Sequence, residues 1–498
     1  MSNNPLLKKR SLAGLWNGLM SNKVILLFAV LCIGCILVAD TSVAYIASEV
    51  FTRFARNTCL VLALIIPCMA GLGMNFGIVV GAIAAQISIF WVVHWGFTGI
   101  EGFLLCVLFS TPLAILFGWL VGVLYNKTKG TEMITGLVLG FFAAGLYRLF
   151  VLYIMGGVIP FDDPMLLDRG FGLRNTIELN GNIKYALDDI TFLTTMIVLG
   201  AVMVLAAGVN ALHAKIKKQE INGKKTLIQL IFGAAMVALG FIGPKVEFIN
   251  EMLGKNRLIL FDAVRIGAPI AVVYAAVMFL IKRPKVQDKL FKKLVAIAVA
   301  AVALFAVSFI EDVAFILNYV RLPAMTYVII CLFCFFNSWL TNTKLGQNMR
   351  TVGQSRPVAT SAGINVDRTR IIATCISTVL AAWGQLIFLQ NLGTFNTVQQ
   401  QDNVGLYAVA AILVGGASVQ KASNKHAVIG VFLFHTLFVV APLAATKIVG
   451  DPAVSEYIRM FISYGVIAVS LAMYAHKKVS GGKKKKDKKA AAAPTAEA

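Results

Sequence analysis

Three groups of residues in this chain of 498 residues have the types and spacing from which chemistry is built, and none of them closes into a catalytic site. Cys331 and Cys334 form a Cys-x-x-Cys, but they lie in an apolar run, so packing explains them better than metal or redox chemistry. Gly223-Lys-Lys-Thr226 ends like a phosphate-binding loop and lacks the earlier glycine such a loop needs. The histidines His94, His213, His426, His435 and His476 are dispersed, with no His-Glu-x-x-His and no nucleophile elbow. No catalytic residue, metal ligand or cofactor site follows from these patterns. What remains is binding chemistry, in the uncharged amides Asn75, Gln86, Gln385 and Asn391, each set in or beside an apolar run.

A second polar feature is of a different kind. The stretch Lys344–Arg370 interrupts the apolar runs with five basic residues and one acid, so it belongs at a membrane face rather than in hydrocarbon. Arg356-Pro357 can open a short helix, because proline is tolerated in the first helical turn, and Gly363 can close it in the left-handed conformation. The expectation is a helical knuckle about two turns long. Gly353 is expected to make the tight turn that separates the knuckle from the preceding span.

The elements that must position these residues are membrane helices. The chain is 58% hydrophobic with a mean hydropathy of +0.81, and its apolar runs repeatedly reach the roughly 20 residues needed to cross about 30 Å of hydrocarbon. Backbone in lipid must satisfy its own hydrogen bonds, which makes these runs helices. The class is therefore all-α, a polytopic transmembrane bundle of about 14 hydrophobic segments. They fall near 24–40, 58–70, 74–95, 103–124, 132–155, 190–209, 226–243, 264–281, 294–310, 324–340, 371–390, 405–419, 426–446 and 457–476, and the runs 58–70 and 405–419 are short enough to be half-helices. With both termini in the cytoplasm, most of the 45 Lys and Arg fall on the cytoplasmic side, in keeping with the positive-inside rule. A net charge of +22 spread over short loops and a tail points to topology rather than to nucleic acid.

Small residues mark where helices approach closely. Gly73, Gly77 and Gly81 recur at intervals of four, as do Gly136 and Gly140, and on helices each set would form a packing face. Gly71-Leu-Gly73 can break the first of these helices. The amides Asn75, Gln86, Gln385 and Asn391 are expensive in lipid unless they meet partners or line a cavity, and they are candidates for a path taken by a small polar solute. Arg148, near the end of its span, is expected to snorkel to the interface. The acids Glu101, Glu132 and Asp262 fall at span ends, which leaves few carboxylates for ion coupling.

Gly346-Gln-Asn-Met-Arg-Thr-Val-Gly353 followed by Ala359-Thr-Ser-Ala-Gly-Ile-Asn-Val-Asp-Arg-Thr-Arg370 resembles the cytoplasmic coupling motif of permeases of binding-protein-dependent ABC importers, in the branch for ribose and other simple sugars, nucleosides and branched-chain amino acids. The stretch Gly73–Ala85 is similar to that family's glycine-rich early helix, and Ala408–Ser418, with Val414-Gly-Gly-Ala-Ser418, to its late element. The resemblance covers 41–156 and 324–476. It implies a permease subunit with no ATP site of its own, a second permease subunit, a cytoplasmic ATPase dimer, an extracytoplasmic solute-binding protein and residence in the cytoplasmic membrane. It also implies that Gly346, Arg350, Gly353, Ala359, Gly363 and Ile364 meet the ATPase, and that the solute is a simple sugar or nucleoside. The resulting organisation is a cytoplasmic segment 1–23, a first permease part 24–189, an inserted region 190–310 of about four helices, a second part 311–476 carrying the coupling segment 344–370, and a basic low-complexity tail 477–498. The alternative that the residues leave open is a single-chain secondary transporter.

Overall fold

The computed structural model describes residues 23–472, apart from 161–162, 169, 217–222, 283–287, 420, 452, 463 and 470–471. The expectations for the N-terminal segment and for the basic tail lie outside the described residues. Apolar runs become helices throughout, and among the described residues nine are long and apolar enough to cross a membrane, with four shorter apolar helices beside them. The chain is a helical membrane bundle. Its residues divide into two compact units.

The first unit holds residues up to Thr41, Arg56–Lys184 and everything from Leu332 onward. Its helices, in chain order, are α1 (Lys23–Val38), the latter part of α2 (Val43–Leu62), α3 (Ile65–Met69), α4 (Ile78–His94), α5 (Gly99–Lys127) and α6 (Glu132–Leu149), the last prolonged by a π turn at Phe150–Ile154. The short run expected at 58–70 is thus the end of a longer helix that breaks at residues 63–64. After Leu332 the unit contains the end of a span that begins at Ala324, then two short helices, followed by Val366–Leu392, Asp402–Val414 and Asn424–Val449. Residues 453–462 and 464–469 are again helical.

Helix ends in this unit follow local chemistry. Asn365 accepts the N–H of Arg368 at 2.9 Å and opens Val366–Leu392, which Gly393 closes at φ 76°. A two-stranded ribbon then pairs β1 (Thr176–Glu178) with the strand Thr394–Asn396 in antiparallel register. Val366–Leu392 is the central helix. A side-chain carbon on Gly81 of α4 would lie 2.5 Å from the Thr378 carbonyl oxygen, and carbons on Gly118 and Gly122 of α5 would lie 2.8 and 2.9 Å from the Cα atoms of Cys375 and Ile371. Glycine lets all three backbones touch, the close approach that membrane helices use in place of a hydrophobic driving force.

The second unit comprises Ser42–Ala55 and Tyr185–Cys331. It contains α7 (Phe192–Ile216), α8 (Gly223–Ile242), α9 (Glu247–Leu253), β2 (Arg257–Ile259), α10 (Leu260–Lys282), α11 (Lys289–Val307), α12 (Glu311–Tyr319), β3 (Arg321–Pro323) and the start of α13 (Ala324–Asn342). Here α7 and α8 cross at glycine: a carbon on Gly200 would sit 2.6 Å from the Gly233 carbonyl. β2 and β3 pair antiparallel, the Arg257 guanidinium lies 4.4 Å from the Tyr185 ring centroid, and buried Asp188 accepts the Thr326 hydroxyl at 2.7 Å.

Close backbone contact at Gly81 has a measurable consequence. Gly81→Leu should lower the thermal unfolding midpoint of the detergent-purified chain, through overpacking of about 1–3 kcal/mol. Gly145→Leu, where nothing lies within 4 Å of the added carbon, should leave it unchanged.

Candidate functional site

The polar stretch after α13 folds into two helices, α14 (Lys344–Gln354) and α15 (Arg356–Ser361). α14 was not expected. Thr343 caps it by accepting the Gly346 N–H at 3.2 Å, and its buried face is Gly346, Met349 and Val352, while Arg350 is exposed. Gly353 lies inside this helix rather than in a turn, so its expected role is corrected. A carbon on Gly353 would collide with the Met69 carbonyl oxygen, and one on Gly71 would lie 2.7 Å from the Gly353 Cα. Glycine serves there as a bearing surface between two backbones.

α15 is the expected knuckle. Pro357 sits in its first turn, Ala359 is buried, and Gly363 has φ 73°. Its end closes with two reciprocal bonds, Gly363 N–H to Thr360 O and Ile364 N–H to Ala359 O, both 3.0 Å, the Schellman arrangement that requires a left-handed residue between them. No atom stands within 4 Å of a carbon added at Gly363, so conformation alone selects glycine. Val358 projects from the knuckle with 59% of its surface exposed.

Beneath the knuckle lies a charge cluster that sequence reasoning did not assemble. Glu132, the first residue of α6, is 7% exposed, and its Oε1 accepts from Arg356 Nη2 and Arg370 Nη2, each at 2.5 Å. Arg370, at the start of the central helix α16 (Val366–Leu392), is wholly buried and also donates to the Tyr125 carbonyl at 3.1 Å. The carboxylate sits at a helix N-terminus, where the aligned peptide dipoles favour negative charge. From Tyr125 the contacts continue: its hydroxyl donates to Asn75 Oδ1 at 2.6 Å, and the same oxygen accepts the Gly77 N–H at 2.9 Å. One unbroken series of polar contacts therefore runs from the knuckle to the glycine-rich segment.

That segment differs from expectation. Gly73 has φ 76° and Gly77 caps α4, so both precede the helix, and only Gly81 contributes to its packing face. Gly136 packs against the Tyr125 hydroxyl, and Gly140 lies 3.6 Å from the Phe76 carbonyl by its would-be side-chain carbon. The small-residue stripe of α6 thus receives the loop before α4. Cys68 and Gly73 in turn meet a second interrupted segment, the turn after α17 (Asp402–Val414), where Cys68 Sγ lies 3.4 Å from the Val419 carbonyl. The short run expected at 405–419 is this helix and turn.

The four amides occupy different settings. Asn75 is a loop anchor, as described, and Asn391 accepts from Arg56 Nε at 2.9 Å. Gln86 and Gln385 are fully buried, one in α4 and one in α16, and neither side chain has a hydrogen-bond partner among the described residues. Arg148 does not snorkel. It forms an ion pair with Asp402 and donates from Nε to the Val398 carbonyl at 3.0 Å, because the polar turn before α17 lies within its reach.

Residues 186–471 match the family model described as the permease component of the branched-chain amino acid transport system. The chain is 30% identical over 133 residues to the xylose transport system permease protein XylH of Haemophilus influenzae, covering 26% of this chain and 34% of that one. It is 32% identical over 94 residues to the autoinducer 2 import system permease protein LsrC of an Enterobacter species, covering 19% and 26%. The matched segments span only about a third and a quarter of the length of these relatives. No solved structure matches.

The charge cluster predicts a non-additive mutant series. Glu132→Ala should destabilise the purified chain by about 3–5 kcal/mol, since it strands the buried Arg370 charge. Adding Arg370→Met to Glu132→Leu should restore much of the loss, because apolar replacement of a buried pair is often neutral. Thermal midpoints in one detergent would read both; a double variant as unstable as Glu132→Ala would remove the pairing from the account.

Proposed function

The chain belongs to the permease-component family of branched-chain amino acid transport systems, and from that premise we propose that it is the transmembrane subunit of an ATP-driven importer of a small polar solute. The observation that carries this reading is the knuckle itself: an exposed α15, ended by a Schellman turn and anchored by Glu132 to the helix that runs through the middle of the bundle. In this reading both termini are cytoplasmic. A cytoplasmic ATPase dimer grips α15 and Val358, a second permease subunit completes the path, and an extracytoplasmic binding protein delivers the solute.

The mechanism is alternating access. When the ATPase closes on nucleotide it displaces α15, and Arg356, Glu132 and Arg370 carry that displacement into α6 and α16 as one body. Tyr125 and Asn75 extend it to the loop before α4. Gln86 and Gln385, on the two helices that touch at Gly81, are the groups that a moving pair of helices would present to solute. Neutral amides both donate and accept, which suits a simple sugar or a nucleoside. A single-chain secondary transporter is the alternative, and it calls for an ion-coupling carboxylate at mid-membrane. The buried Glu132 instead stands at a helix start, bound between two arginines.

Two experiments test the reading. Gly363→Val places a β-branched residue at φ 73°, a strain of about 1–2 kcal/mol, and should reduce recovery of the ATPase in a detergent pull-down while membrane insertion is unchanged. Gly363→Asn, which tolerates the left-handed region, should retain most of it, and equal recovery by all three forms would refute docking at α15. Gln385→Leu removes a buried amide without partners and should leave the chain as stable or more stable, yet lower uptake by the intact system several-fold. Normal uptake with unchanged expression would remove Gln385 from the path.

A further inference from the structure

Away from the knuckle, between the C-terminal part of α16 and the start of α17, the first unit encloses a cleft of about 240 Å³. Five of its lining residues are side-chain amides, Asn57, Asn396, Gln399, Gln400 and Asn403. The rings of Phe388, Tyr407 and His435 and four aliphatic side chains complete the wall, and no Asp, Glu, Lys or Arg lines it. The charges beside it are already engaged: Asp402 pairs with Arg148, and Arg56 donates to Asn391 and lies 5.7 Å from the Phe388 ring centroid.

The cleft has a floor and a rim of different character. Asn57 is nearly buried, as are Leu60, Val61 and Ala408, whereas Gln399 and Asn403 are exposed at the mouth. The turn that presents the rim is held rigidly. Asn396 Oδ1 accepts the N–H groups of Val398 and Gln399 at 3.0 and 2.9 Å, and buried Gln401 donates to the Val398 carbonyl at 2.8 Å. Aromatic faces with a set of fixed donors and acceptors, in a site lined by no carboxylate, ammonium or guanidinium, give an amino acid's ammonium no opposite charge, and its carboxylate only the ring of His435. They give a neutral polyol many partners, with its C–H face against the rings. The volume falls below the roughly 300 Å³ at which drug-sized sites begin, which favours one ring over two.

We infer that this cleft is a solute-binding site, open to the extracytoplasmic side, for a neutral single-ring polyol of monosaccharide type rather than for a nucleoside or an amino acid. The inference rests on the importer reading and narrows its solute to one of the two classes left open there. It adds a site distinct from Gln86 and Gln385, and it makes Asn403 and Gln400 the groups that first hold the delivered ligand.

The test uses the intact importer in right-side-out membrane vesicles, with Asn403→Cys and Gln400→Cys each treated with a membrane-impermeant methanethiosulfonate. Both variants should react at least about tenfold faster than the wild-type chain with its own eight cysteines. D-xylose as probe should slow that reaction several-fold, while adenosine and L-leucine should not. Labelling no faster than wild type, or faster only in inverted vesicles, overturns the placement of the site. Protection by leucine or adenosine equal to that by xylose, or absence of protection by xylose, overturns the solute class. Failure of the wild-type chain to recover an ATPase would instead sink the importer reading, and that result is independent of the labelling.

Discussion

A single carboxylate ties three helices of this molecule together. Glu132 binds Arg356 on the knuckle and Arg370 on the central helix through one oxygen, in a setting where neither Glu132 nor Arg370 reaches appreciable solvent. Removing two or three charges from water is costly, and the cost is recovered only when the geometry is tight. The position of α15 relative to α6 and α16 is therefore not freely adjustable. A small displacement of Arg356 would expose a buried charge, so α15, α6 and α16 are constrained to move together. Tyr125, bonded to Arg370 through its carbonyl and to Asn75 through its hydroxyl, extends that constraint to the loop before α4.

Much of this was legible in the sequence, and what was not has identifiable causes. Arg356-Pro357 and Gly363 announced α15 because both act locally: proline fixes its own φ, and a left-handed residue is needed wherever a Schellman turn closes. The membrane class was equally plain from hydropathy, and interruptions near 58–70 and 405–419 were visible as short runs. Gly73, Gly77 and Gly81 misled, since a spacing of four is also compatible with glycines that cap and break a chain before a helix begins. Gly353 looked like a turn residue because composition cannot tell a glycine chosen for its φ from one chosen for the backbone lying against it. Arg148 with Asp402 and Glu132 with its arginines were invisible for another reason: the partners are 224 to 254 residues apart, and no local pattern records that distance.

Burial separates the spans into two populations. The windows at Val43–Met69, Val366–Leu392 and Asn424–Val449 are 67%, 61% and 72% buried, against 28% for Gly99–Lys127 and 22% for Glu132–Ile154. Those two outer helices carry the exposed Leu104, Leu108, Leu116, Phe141 and Phe142, the surface expected toward lipid or another membrane subunit. The inner helix Val366–Leu392 carries Gln385 and Asn391, and the hydroxyls of Thr374, Ser377 and Thr378, each hydroxyl satisfied by a carbonyl. Polar chemistry is concentrated where protein, rather than hydrocarbon, is the solvent.

Arg56 and Asn391, bonded at 2.9 Å, are separated by 335 residues. At roughly 5–20 residues per second of synthesis, Arg56 enters the membrane tens of seconds before Asn391 exists. For that interval Val43–Met69 exists without the helix that gives Arg56 this bond, whereas Arg53 has Glu49 four residues before it on the same helix from the start. The bond that ties Arg56 to Val366–Leu392 is therefore among the last of this unit to form. Truncation before residue 391 thus takes a contact from the first helices as much as from the last.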